Sequence, residues 1–389
     1  PYAYLVDNIK VFLIFLVVFN HLIAFQLVKV SIGIRHIWYA ITIFHMPAFI
    51  FVSGYLSKKP QSVIKNIKME RCDVLWKEKM ISNLKEVLNK PERLAPGHRM
   101  CAGCGGTVTV RTVLRALEEG DKAVIGNATG CLEVSSFMYP YTAYEDSYIH
   151  NAFENAGATL SGVETAYNVL KKKGKIKDNY KFITFGGDGG TYDIGFQSLS
   201  GAMERNHDMV YVCYDNGAYM NTGIQRSSAT PMYADTTTTP VGTQSPGKPQ
   251  NRKDLAAVIA AHDVPYVAQT TFVQNFKDLH IKAEKAIYTP GAAFLNIMAP
   301  CPRGWRYNTP DIMEICKLAV ETCYWPLFEV VEGKWILNYE PKNKKPIEDF
   351  LKPQGRFKHL FTKENEYLIE EFQKEVDRRW EELKFRCSR

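Results

Sequence analysis

Asp188, in the run GGDGG (186–190), and Asn216, in YDNGAYMNTG (214–223), stand 28 residues apart. That is the length of one helix and return strand in a parallel sheet, so a right-handed crossover delivers both to the carboxyl ends of strands on one sheet edge. A carboxylate, an amide oxygen and the backbone carbonyl at Ala218 make the oxygen set that holds Mg2+ beside a diphosphate. Gly187, Gly189 and Gly190 let backbone approach such an anion, and the helix start that follows supplies amide donors and a positive dipole end. A Gly-Asp-Gly turn is common in itself; the paired Asn at this distance makes the signal specific.

Cysteine supplies a second constellation. The chain has nine, too few for its length to be a disulfide scaffold, and this usage points to a reducing cytosol and to metal or cluster chemistry. HRMCAGCGG (98–106) carries Cys101 and Cys104. Locally that C-x-x-C is open to four readings: zinc ligands, a redox dithiol, half of an iron–sulfur site, or structural thiols in a Gly-rich turn. Structural zinc usually brings a second C-x-x-C or paired His, absent here at zinc spacing. A thioredoxin-like dithiol would not call on Cys131 and Cys301, which follow the strand-like runs KAVIGNATG and AAFLNIMAP. Both cysteines therefore fall on the edge that carries Asp188 and Asn216. Four thiolates converging from loops fit a [4Fe–4S] cluster. Cys213, mid-strand, and Cys316 and Cys323, in a helix, read as buried structural thiols, and Cys72 and Cys387 have no assigned role.

The elements that must position these residues alternate from about residue 81. TVTVRTVLRAL, NAGATLSGVETAYNVLKKK, TYDIGFQSLSGAMERN, DLAAVIAAH and FKDLHIKAEKAIY have helical apolar spacing. KAVIG, KFITFGG, DMVYVCYDN, PYVAQT and AAFLNIM read as buried strands between them. The pattern predicts an α/β fold with a doubly wound parallel sheet. A charged amphipathic helix near the C-terminus (ENEYLIEEFQKEVDRRWEELKF) reads as a partner-packing or solvated arm, and the Thr/Pro-rich stretch 230–253 as a partner contact or mobile surface loop.

With those motifs in hand the chain resembles a known family. GGDGGTYDIGFQSLSGAMERNHDMVYVCYDNGAYMNTGIQRSSATP is similar to the beta subunits of pyruvate:ferredoxin oxidoreductases. The likeness runs over about residues 84–361 and takes in HRMCAGCG, NATGCLEVSSFMYPYTAYEDSYIHNAFENAGATLSGVETAY, APCPRGWRY and QGRFKHLF. The resemblance implies a thiamine-diphosphate-binding fold with thiamine diphosphate, Mg2+ and a [4Fe–4S] cluster as cofactors. It implies Cys101, Cys104, Cys131 and Cys301 as cluster ligands, Asp188, Asn216 and the Ala218 carbonyl on Mg2+, and Gly130, Gly187, Gly189 and Gly190 on the cofactor. Asn221 matches a residue that contacts substrate or adduct. The implied reaction takes pyruvate, CoA and oxidised ferredoxin to acetyl-CoA, CO2 and reduced ferredoxin; 2-oxoglutarate, 2-oxoisovalerate or indolepyruvate are alternative acids. An alpha subunit would supply the activating Glu and the substrate clamp, and gamma and delta (ferredoxin-like) subunits the onward clusters. No carboxylate here claims the activating role, although Glu133, Glu154 and Glu164 lie in the matching region, and the C-x2-C-x2-C-x3-C run of a ferredoxin is absent.

Residues 1–68 have a different character. The uncharged runs 11–28 and 37–56, of 18 and 20 residues, are long enough to span a bilayer. The excess of Lys at their outer flanks places both ends on the cytoplasmic side. DNIKVFLIFLVVFNHLI and FHMPAFIFVSGYLSKK resemble the start of integral-membrane sugar O-acyltransferases, in which the position of His21 is catalytic. Two spans cannot complete such a site, so a membrane anchor or joined fragment is the expectation, with the remainder cytoplasmic. These residues hold +6 of the net charge of +7, so the rest has no basic excess and nucleic acid is set aside. The expected organisation is two spans at 1–68, a junction at 69–83, a cofactor-binding domain at 84–345 and a helical arm at 346–389.

Overall fold

The computed structural model describes residues 84–138, 141–273 and 276–389. All belong to the second, Met80–Arg389, of the two units into which the chain divides. The two spans expected at 11–28 and 37–56, with His21, lie outside the described residues. Among the described residues no helix is long and apolar enough to cross a membrane.

Eight strands form the main sheet: β1 (Lys122–Ala128), β2 (Ser147–Asn151), β3 (Tyr180–Gly187), β4 (Val210–Asp215), β5 (Tyr266–Thr270), β6 (Ala293–Met298), β7 (Phe328–Val331) and β8 (Lys334–Leu337). Their spatial order is β8–β7–β5–β6–β4–β3–β1–β2. From β5 to β2 every pairing is parallel. Strands β4, β5 and β6 are buried along their whole length, which is why VYVCYD, YVAQT and AFLNIM show no polar alternation: helices cover both faces. Those helices include α1 (Gly105–Leu114), α2 (Cys131–Ser136), α3 (Ala156–Lys172), α4 (Phe196–Glu204), α5 (Leu255–Ala260), α6 (Lys277–Tyr288) and α7 (Ile312–Glu321).

The fold departs from the sequence reading in five places, one being the parallel edge strand β2, whose largely uncovered SYIHN carries no apolar run. An antiparallel hairpin, β7–β8, extends the parallel sheet; its two-residue turn has φ of 46° at Glu332 and 80° at Gly333, the left-handed pair that matches strand twist. The single helix expected over 191–206 is split. Gly189–Ile194 forms a wide π-helical turn, closed by Gly195 N–H donating to the Gly190 carbonyl at 2.7 Å, before α4 begins. A Cβ on Gly195 would sit 2.2 Å from that carbonyl, so the wide turn depends on glycine there.

The expected C-terminal arm is instead docked on the domain. Helix α8 (Glu366–Cys387) buries Leu368, Phe372, Val376, Trp380 and Leu383 along one face, and the Phe372 ring meets those of Tyr324 and Phe357 at 6.0 and 6.1 Å. The Thr/Pro-rich stretch is likewise pinned down rather than free. Tyr233 N–H donates to the Lys248 carbonyl at 2.7 Å, and the buried Lys248 ammonium donates to the Thr230 carbonyl at 2.6 Å.

Two outcomes test this packing. Phe372→Ala lowers the unfolding free energy by about 3–5 kcal/mol, the usual loss for a buried aromatic, measured by urea denaturation; an undocked arm would show no change. Burial lowers the Lys248 pKa to about 7, whereas the unfolded chain holds it near the ordinary ~10.4. Between those values the unfolded state binds the extra proton, so this group makes stability rise with pH from ~7 to ~10. Lys248→Met therefore flattens the difference between urea midpoints measured at the two ends of that window.

Candidate cofactor-binding site

The chemistry-bearing residues gather at the carboxyl ends of four neighbouring strands, β6, β4, β3 and β1. Asp188 follows β3 and Asn216 follows β4; the register pairs Gly187 with Tyr214. Cys131 opens α2 directly after β1, with Gly130 before it. Cys301 follows β6 and caps the helical turn Pro302–Trp305, its sulfur accepting from Gly304 N–H at 3.3 Å.

Asp188 is fully buried. It accepts the Asn216 backbone N–H at 3.2 Å and the Ser227 hydroxyl. The Asn216 side-chain oxygen faces only acceptors, Asp188 Oδ1 and the Ala218 carbonyl; with the amide turned over, its nitrogen would donate to them at 2.9 and 2.8 Å. The Asn216 amide thus bridges Asp188 and the Ala218 carbonyl: with its nitrogen inward it donates to both, and with its oxygen inward the three oxygens form a set that a cation makes favourable. Burial, and then the neighbouring Asp215, push the Asp188 carboxyl well above the usual carboxylate range; Arg356 feels its charge without forming an ion pair with it. Asp215 has an ion pair: Arg252 Nη2 donates to it at 2.8 Å and the Tyr192 hydroxyl at 2.8 Å. Burial raises the Asp215 carboxyl too, with Arg252 opposing the rise. The Asn216 loop is clamped by its surroundings. Asp215 accepts from Gly217 N–H at 3.1 Å, the Thr230 hydroxyl donates to the Gly217 carbonyl at 2.7 Å, and Trp305 Nε1 donates to the Asn216 carbonyl at 2.6 Å.

Above this floor lies a cleft of about 290 Å³ lined by Gly130, Cys131, Gly187, Gly189, Gly190, Asn216, Ala218 and Asn221, among others. Asn221 is exposed. None of Gly187, Gly189 and Gly190 has a positive φ, and the anion-approach argument for them is joined by a packing one: a Cβ on Gly189 would lie 2.3 Å from the Tyr219 ring. A larger cleft, about 770 Å³, lies beneath α8; its Arg379 pairs with Glu375, its Arg386 with Asp254 and Glu382, and its Arg252 with Asp215.

The C-x-x-C loop is seated on the segment that carries Cys301. Gly105 N–H donates to the Pro300 carbonyl at 3.0 Å, and a Cβ on Gly105 would come within 2.5 Å of Ala299. Cys101, Cys104, Cys131 and Cys301 are all free thiols. Cys131 is pushed up to about 12, by burial first and then by Cys301, Cys104 and Cys101; burial also raises Cys104 and Cys301. The four are thus electrostatic neighbours. Among the described residues no group of three His, Cys, Asp or Glu is gathered tightly enough for a single metal ion. A cubane cluster, with one thiolate on each iron, spreads its ligands more widely. Cys213, Cys316 and Cys323 are buried in the core.

Ser227, Arg252 and Trp305 were not legible as site residues. Their positions carry no spacing signal, because each reaches the site across the fold; Asp215 adjoins Asn216 in sequence, but its pairing with Arg252 is set by the fold.

A parallel sheet with this oxygen set and glycine-lined cleft at its carboxyl edge defines a thiamine-pyrophosphate-enzyme domain, and the model of the thiamine pyrophosphate enzyme C-terminal TPP-binding domain matches residues 125–297. Pyruvate synthase subunit PorB of Thermotoga maritima is 52% identical over 308 residues, covering 78% of this chain and 95% of that protein. PorB of Methanocaldococcus jannaschii is 47% identical, covering 74% and 95%. Ketoisovalerate oxidoreductase subunit VorB of Pyrococcus abyssi is 45% identical, covering 75% and 93%. The chain belongs to the PorB family of pyruvate synthase subunits.

Proposed function

We propose that this chain is the cofactor-bearing beta subunit of a pyruvate synthase, a 2-oxo-acid:ferredoxin oxidoreductase that converts pyruvate and CoA to acetyl-CoA and CO2. The observation that carries the reading is that Asp188, the Asn216 side-chain amide and the Ala218 carbonyl meet beneath a glycine-lined cleft. With the amide oxygen turned inward, these residues would hold Mg2+, which would fasten the diphosphate of the cofactor. Ser227 keeps Asp188 oriented, and the Asp215–Arg252 pair anchors the loop that carries Asn216. Thiamine diphosphate, when bound, supplies the carbanion that attacks a 2-oxo acid and the electron sink for loss of CO2. Asn221, on the cleft wall, faces substrate. Cys101, Cys104, Cys131 and Cys301 hold a [4Fe–4S] cluster that supplies a one-electron acceptor against the same cleft.

The chain works with partners. Glu133 is tied to His150 at 2.6 Å and Glu164 to His207 at 2.8 Å, and Glu154 is exposed; the family resemblance implies that the activating Glu comes from an alpha subunit, with gamma and delta subunits and ferredoxin carrying electrons onward. Pyruvate is preferred on the PorB likeness; the VorB likeness makes 2-oxoisovalerate the acid to test against it.

Two measurements check the reading. Reconstituted with iron and sulfide, the chain takes up one cubane cluster with broad visible absorption, and Cys131→Ala lowers its iron content; a colourless zinc protein refutes the cluster. Asp188→Ala abolishes Mg2+-dependent thiamine diphosphate binding in a calorimetric titration while iron content stays unchanged; unaltered affinity refutes the oxygen site.

A further inference from the structure

Tyr214, in β4, is fully buried; Leu132 N–H is the only group directed at its hydroxyl oxygen, and the hydroxyl proton reaches no acceptor among the described residues. A buried donor without an acceptor calls for a partner such as a bound group or water.

The space around the ring is carved by glycines from three elements. A Cβ on Gly130 would lie 2.5 Å from the Tyr214 hydroxyl, one on Gly187 would lie 3.3 Å from it, and one on Gly106 would lie 3.7 Å from the ring. Each glycine adjoins a site residue or lies near one. Gly130 precedes Cys131 and Gly187 precedes Asp188, and the Gly106 position is also 3.6 Å from Cys104 Sγ. Tyr214 therefore stands between the four cysteines and the oxygen set, on the wall of the cleft. The closest of the three glycine positions to the hydroxyl is that of Gly130, at 2.5 Å, and the next residue in the chain is Cys131. A thiol is a poor acceptor, whereas a metal-bound thiolate is a good one.

We propose that the Tyr214 hydroxyl donates a hydrogen bond to the Cys131 sulfur when that residue ligates the cluster, which makes Tyr214 a positioning residue that raises the cluster's reduction potential. The proposal rests on the cluster reading above. A donor to a ligand sulfur stabilises the reduced, more negative cluster, so its removal moves the potential downward. No bond is made or broken; the hydroxyl keeps its proton.

Tyr214→Phe keeps the ring and removes only the donor. In the full chain, reconstituted with iron and sulfide, the variant retains wild-type iron content and thiamine diphosphate affinity, while its cluster midpoint, followed by electron paramagnetic resonance during a redox titration, moves to more negative potential. After exchange into D2O, the reduced wild-type cluster shows an exchangeable deuteron coupling that the variant lacks. An unchanged midpoint with the coupling retained overturns the proposal. So does an unchanged midpoint with a tenfold loss of thiamine diphosphate affinity, which would assign the hydroxyl to phosphate instead. Both leave the cluster reading intact. A wild-type chain that takes up no iron overturns that reading and this proposal together.

Discussion

A single buried carboxylate organises this structure. Asp188 is held out of water at the end of β3, with an amide hydrogen bond and a serine hydroxyl but no ion pair, and the Asn216 side-chain amide lies between it and the Ala218 carbonyl. Ionised and alone, such a group is strongly disfavoured; beside a divalent ion it becomes a ligand. The contrast with Asp215 makes the point. That residue is as deeply buried, but Arg252 and Tyr192 satisfy it, so it supports the loop, and the unmatched charge is left to Asp188.

The sheet order turns this local chemistry into a two-part site. Adjacent strands β3 and β4 provide the oxygens, and their outer neighbours β1 and β6 provide Cys131 and Cys301. Because parallel strands all present their carboxyl ends on one edge, cysteines separated by 170 residues flank the oxygen set. The C-x-x-C loop joins them from the start of α1, whose first glycine lies hard against Ala299 and Pro300. Tyr214 fills the gap between the two halves.

Much of the fold was legible because fully buried parallel strands read as unbroken apolar runs and amphipathic helices keep a 3.6-residue period. The failures have physical reasons. The β7–β8 hairpin was missed because Glu332 occupies a turn position usually held by Asn, Asp or Gly. The helix after Asp188 reads as continuous because apolar spacing does not register a π turn, which here depends on a close approach at Gly195. The amphipathic pattern of α8 showed an apolar face, but a pattern names no partner; packing against Tyr324 and Phe357 was decided by the whole domain.

What the sequence determined by itself was the inventory and its spacing: Asp188 and Asn216 one crossover apart, Cys131 and Cys301 each just past a strand, and a C-x-x-C ahead of the first helix. Spacing suffices there because strand and helix lengths convert directly into position on a sheet edge. Only the tertiary structure decided which buried carboxylate is neutralised by an arginine, that the Asn216 amide lies between Asp188 and the Ala218 carbonyl, that Ser227 and Trp305 hold the floor of the site, and that Tyr214 is left with an unspent donor. Those outcomes depend on contacts between residues far apart in the chain, and hydrogen bonds across such separations leave no period or motif to be read.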